Sequence, residues 1–157
     1  MALSIYGFFN FNFRHSRLAE ILGEVVDGGE IGSIINAFVT MTHGLAFKTQ
    51  YEGSWRAQGE EQAIPVLDTV AIHFIDLMDI YLGISEIVSC QFGNFSDQGK
   101  YPDASVITQK HVGGGWSTLF VGYASPYQKH IVVTGTDGVL VLDGDGARLN
   151  FPRDSFD

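Results

Sequence analysis

The chain has 157 residues, a length that suggests one domain, and 45% of them are hydrophobic and 17% charged, a globular rather than a disordered composition. Its formal net charge of −9 argues against nucleic acid and against an anionic membrane as partners. No apolar run reaches the roughly 18 residues a bilayer span needs, the first residues lack a secretory basic region, and the single cysteine, Cys90, excludes an internal disulfide, so the expected location is the cytoplasm.

Residues 3–13, LSIYGFFNFNF, are rich in β-formers and read as a strand. Residues 16–27 place Leu18, Ile21, Leu22, Val25 and Val26 at helical spacing, with Ser16 as the cap and Gly28-Gly29 as the stop. A strand follows at 31–42. Residues 44–63 are polar and glycine-containing, a long loop of the kind that often carries function. A helix is expected over 66–82. Strands are then expected at 86–94, 103–111, 116–124, 128–134 and 138–143, the last two joined by the hairpin turn Gly135-Thr136-Asp137-Gly138. The tail allows one short strand. Two early helices followed by a meander of strands predict an α+β fold: an open, mainly antiparallel mixed sheet with helices packed on one face. The whole chain, 1–157, reads as a single domain.

The helix at 66–82 carries the most chemistry. At about 100° per residue, Val70, Ala71, Phe74, Met78 and Tyr81 fall within about 60° of Leu67 and form the core stripe. Thr69, His73, Asp76 and Ile80 share another face. His73 is suited to proton transfer, but spacing alone favours a structural histidine bonded to Asp76 or Thr69. Asp68 lies about 140° away from it on a regular helix, so pairing Asp68 with His73 requires a local bulge or a shifted helix start.

Several chemistries lack their signature. No G-x-G-x-x-G follows a first strand, and no phosphate-loop lysine motif is present. His15, His43, His111 and His130 are scattered without metal-ligand spacing, so no metal site is expected. Asp143-Gly144-Asp145-Gly146 lacks the later ligands of a calcium loop and reads as a turn.

Taken in order, several segments resemble the C-terminal domain of the Gfo/Idh/MocA oxidoreductases, which act on sugars and cyclitols with NAD or NADP. FNFRHSRLAEILGEVVDGGEIGSI is similar to that domain's N-x-R segment, helix and G-x-[IL]-G turn. Trp55-Arg56 resembles its W-R pair, HFIDLMDIYLG its H-x-[IL]-D-x-x-x-x-[LY]-L-G helix, and IVVTGTDGVLVLD its G-T-x-G-x-L hairpin. The resemblance covers most of the chain.

This resemblance implies a substrate-binding and oligomerisation domain for a sugar-like small molecule. It implies His73 and Asp68 as the catalytic pair, with Arg56, Trp55, Thr69 and Asp76 lining the substrate side. In the family pattern an Asp stands four residues before the histidine; here Thr69 holds that place and Asp68 stands one earlier. The family's nucleotide-binding domain, with its cofactor site, lies outside these residues. NAD or NADP is therefore expected in the full-length parent and none on this chain, and the exposed sheet face is expected to join copies into a homo-oligomer. The alternative is a non-catalytic interaction or sugar-sensing module that retains the fold.

Overall fold

A computed structural model describes residues 10–59, 63–144 and 146–152. Most of the strand expected at 3–13 lies outside the described residues, and at its far end Asn12–His15 forms a 3-10 turn. Ser16 bends this segment back: its backbone N–H donates to the Phe13 carbonyl at 3.1 Å and its hydroxyl to the same oxygen at 2.7 Å. The same hydroxyl accepts from the Ala19 N–H at 3.3 Å, capping helix α1, Arg17–Asp27. Leu18, Leu22 and Val25 are buried along α1. The helix ends at Gly28, followed by Gly29 in the left-handed region.

Strand β1, Ile34–Thr42, leads into a 3-10 turn at Leu45–Phe47 and a single turn of helix, α2, Trp55–Gln58. The long helix then starts irregularly. Leu67–Ala71 is a π turn, in which the Ile72 N–H donates to the Leu67 carbonyl, and it runs directly into α3, Ile72–Leu82. Strands β2, Ser85–Gly93, β3, Ala104–His111, β4, Trp116–Gly122, β5, Gln128–Gly135, β6, Val139–Asp143, and β7, Gly146–Asn150, complete the chain.

The strands form one sheet in the order β2-β3-β4-β1-β5-β6-β7. β1 and β4 run parallel, with Phe38 opposite Thr118. The other neighbouring pairs are antiparallel. Because β1 and β4 are parallel neighbours, the chain between them must cross over, and that crossover holds α2, α3 and the β2–β3 hairpin.

Period-two alternation separates the two faces. Ala37, Val39, Ile107, Leu119, Val121, Ile131, Val133, Leu140 and Leu142 are buried in one core with Leu18, Leu22, Phe74, Leu77 and Met78 of the helices. The opposite face presents Phe38, Val106, Trp116 and Phe120 to solvent. The fold is α+β, with helices supplying the second layer.

The C-terminus of α3 is pinned to the sheet. Gly83 ends the helix at φ +87°, ψ +161°, a region open essentially to glycine. Its carbonyl accepts from His111 Nδ1 at 2.7 Å, and His111 Nε2 meets the Ser117 hydroxyl at 2.8 Å. Gln109 continues this buried network, accepting from Ser117 at 3.2 Å and donating to Ser85 at 2.5 Å. The buried positions Gln109, His111 and Ser117 beside the helix end are thus polar and bonded to one another and to Gly83 and Ser85, which satisfies groups that would otherwise be orphaned.

Candidate functional site

The start of the long helix faces the end of the sheet where parallel strands β1 and β4 finish. Phe11 to Arg14 lie across this region from the N-terminal side, and α2 approaches from the loop after β1.

His73 sits on the first turn of α3. Its imidazole stacks on the Phe13 ring, with centroids 5.0 Å apart and planes 23° apart, and meets Phe11 edgewise at 6.1 Å. Phe13 also packs against Phe74 and carries Lys129 Nζ 5.5 Å from its ring centre. His73 Nδ1 is buried and has no hydrogen-bond partner among the described residues. Asp76, one of the partners that spacing offered, is engaged instead by Arg14, whose Nε donates at 2.8 Å and whose terminal nitrogen donates at 2.5 Å. Arg14 also lies over the Phe11 ring at 5.1 Å. These contacts tie the segment before α1 onto the face of α3.

The π turn is the bulge that Asp68 would need. Residues five apart, rather than four, stack in such a turn, so Asp68 is brought nearer the His73 face than a regular helix would bring it. Asp68 is nonetheless exposed, and its Oδ2 accepts from the Ile64 N–H at 3.1 Å, capping the helix start. Thr69 turns away from His73. Its hydroxyl donates to the Pro65 carbonyl at 2.7 Å and hydrogen-bonds the Tyr123 hydroxyl.

Tyr123, just past β4, is fully buried. Its hydroxyl lies 2.9 Å from the same Pro65 carbonyl, so two O–H protons are shared among three contacts. Burial raises its pKa, while the Thr69 hydrogen bond and the nearby Arg56 charge work in the opposite direction. His43 tilts against the Tyr123 ring at 5.0 Å, and Tyr51 meets it edgewise at 5.9 Å. Tyr51 is 2% exposed, and its hydroxyl has no partner among the described residues. Burial, with a smaller push from the Asp103 charge, raises its pKa to about 12. Trp55 is 49% exposed and carries the Arg56 guanidinium 4.6 Å from its ring centre.

Sequence-derived residues therefore fall into two adjoining groups. Thr69 and Arg56 gather at Tyr123, with Trp55 beneath Arg56. His73 and Asp76 gather under the aromatic segment Phe11 to Arg14. Asp68 stands at the helix start, one residue before Thr69, where it caps the Ile64 N–H. Sequence reasoning did not single out Tyr123, Tyr51, His43 or Phe13, because they reach the site through strand ends and loops distant in the chain. Phe13 and Arg14 lay inside the N-x-R resemblance, the one signal that pointed toward them. Among the described residues, no group of three or more His, Cys, Asp or Glu side chains is placed to hold a metal ion. No described helix is long and apolar enough to cross a membrane.

The fold is shared with solved oxidoreductases. Levoglucosan dehydrogenase in complex with NADH and levoglucosan is 18% identical and superposes with a TM-score of 0.80, covering 92% of this chain and 43% of that one. The WlbA dehydrogenase from Bordetella pertussis, in complex with NADH and UDP-GlcNAcA, is 18% identical with a TM-score of 0.76, covering 93% of this chain and 44% of that one. An NAD binding oxidoreductase from Klebsiella pneumoniae is 17% identical with a TM-score of 0.79, covering 94% and 44%. The chain thus spans less than half the length of each of these proteins. A comparison with curated proteins yields no match. The model of the GFO/IDH/MocA C-terminal domain matches residues 20–141, and the chain belongs to that family.

Proposed function

We propose that this chain is the substrate-binding and oligomerisation domain of an NAD(P)-dependent oxidoreductase acting on a sugar or cyclitol, with His73 meeting the reacting oxygen. The observation that carries this reading is the fixing of the His73 ring: Phe13 covers one face, Nδ1 is sealed, and Nε2 is the nitrogen left to meet a ligand. Arg56 on Trp55 and the half-buried Thr69, held in place by Tyr123, supply further polar contacts on the substrate side. Asp76 acts at this site through Arg14.

The described residues do not themselves fit a dinucleotide. Among the described strands, β1 and β4 are the parallel pair, and β1 runs into Gly44 and a 3-10 turn rather than a glycine-rich turn that opens a long helix. The reading therefore assigns the cofactor to a nucleotide-binding domain outside these residues and routes no step of this chain through it.

The open sheet face supports the oligomerisation role. Phe38, Val106, Trp116 and Phe120 lie on one surface of the sheet, an exposed apolar patch of the kind that marks an interface. A second reading, a sugar-sensing module without catalysis, draws on Asp68 being committed to the Ile64 N–H.

Nitrogen-15 NMR of this chain titrated with a panel of polyols tests the site. The proposal expects shifts at His73, Thr69, Tyr123 and Arg56. Shifts confined to another surface would overturn the site, and tight NAD(H) binding to this chain alone by calorimetry would overturn the assignment of the cofactor to another domain.

A further inference from the structure

His73 is the one group in the proposed site whose proton inventory can be worked out from its surroundings. A neutral imidazole carries its proton on one nitrogen and a lone pair on the other. Nδ1 is buried and meets no partner among the described residues. The side chains that helical spacing could offer it bond elsewhere. The Thr69 hydroxyl is on Pro65 and Tyr123, both Asp76 oxygens are on Arg14, and Asp68 Oδ2 is on the Ile64 N–H. A proton on Nδ1 would be a buried donor with no acceptor, pressed among aromatic rings. A bare lone pair is the less costly occupant of that position, since orphaned N–H groups are rarer than under-satisfied acceptors.

We propose that His73 is held as the Nε2–H tautomer and meets the substrate oxygen as a fixed hydrogen-bond donor rather than as a base. This rests on the site proposed above and sharpens it. A general base needs its lone pair on Nε2, which requires an acceptor on Nδ1 to receive the proton there. In this chain Nδ1 meets no such acceptor among the described residues. No proton enters or leaves His73 in this role; it orients the substrate oxygen and stabilises negative charge that develops on it, as an oxyanion donor does, while the proton that the hydroxyl loses on oxidation passes to a base other than His73. Phe13 is then a positioning residue, acting through the ring it covers.

Two measurements test this. Long-range nitrogen-15 to proton correlation of the ring at about pH 9, where an unperturbed histidine is neutral, is expected to show the Nε2–H pattern for His73. The Nδ1–H pattern would overturn the proposal while leaving the polyol site intact, so the two failures are distinguishable. In Phe13→Ala, with the cover removed, the pattern is expected to move toward a mixture of tautomers; an unchanged pattern would show that the cover does not set it. In the complete oxidoreductase, His73→Asn, which keeps an amide donor, is expected to retain at least about tenfold more kcat than His73→Ala. Equal loss in the two variants, both shown to be folded, would also count against a donor role.

Discussion

At the scale of single residues, the site combines a group that the sequence displays with partners that it hides. His73 was legible because the motif around it survives. Its surroundings were not, because Phe13 lies sixty residues away in the chain and arrives through a 3-10 turn where β-propensity predicts a strand. Asp76 shows the same limit. Spacing made it a partner for His73, and the competing guanidinium of Arg14 took it with a two-point, charge-assisted contact. Tyr51 leads to a direct prediction. Its hydroxyl is buried without a partner among the described residues, so Tyr51→Phe removes an unsatisfied group and should change stability at neutral pH by no more than about 1 kcal/mol. The alkaline behaviour should differ more. An unfolded tyrosine ionises near 10 whereas folded Tyr51 holds its proton to about 12, so unfolding releases a proton between those values and stability falls as pH rises. Chemical denaturation across that range should show a shallower loss in Tyr51→Phe. An unchanged slope would mean that Tyr51 is not the group responsible.

At the scale of elements, the sequence was most informative where one local signal decides the structure. The Ser16 cap, the Gly28-Gly29 stop and the hairpin at Gly135–Gly138 follow from short-range chemistry, and each stands where it was expected. The π turn at Leu67–Ala71 was not readable from periodicity, because the one residue of slack leaves the core stripe of Phe74, Leu77 and Met78 intact. Its effect falls on Asp68 and Thr69, the two positions where the motif and the register disagree. The other end of the same helix relies on Gly83. Gly83→Ala forces a side chain into a backbone region that L-residues avoid, with its Cβ 2.9 Å from Val112 Cγ2. The expected cost is about 1–3 kcal/mol, measurable by urea denaturation. A change within about 0.5 kcal/mol would show that the helix end relaxes without penalty.

At the scale of the whole molecule, the α+β class and the succession of elements followed from the order of periodic segments. The sheet order did not. Strand β1 pairs in parallel with β4 across a crossover longer than seventy residues, and no local pattern announces which strand a central strand will choose. That pairing shapes the proposed site, because it brings His43 and Tyr123, at the ends of two distant strands, to the start of the long helix. The seven strands also leave a broad outer face. Phe38 stands near its middle, 55% exposed, between Thr118 and Val132 on the neighbouring strands. Phe38→Glu should therefore shift a dimer toward monomer by at least about tenfold in Kd, since it places a charge in an apolar contact. Light scattering that finds a strict monomer for the unsubstituted chain at high concentration would remove that role. The central claim is that His73 touches the reacting oxygen of a polyol. Its most direct test is kcat for NAD(P)-dependent polyol oxidation by the complete oxidoreductase, compared with that of His73→Ala. The account predicts a loss of about 10²–10³-fold in kcat with the fold retained, and a folded His73→Ala enzyme that keeps the original rate would contradict it.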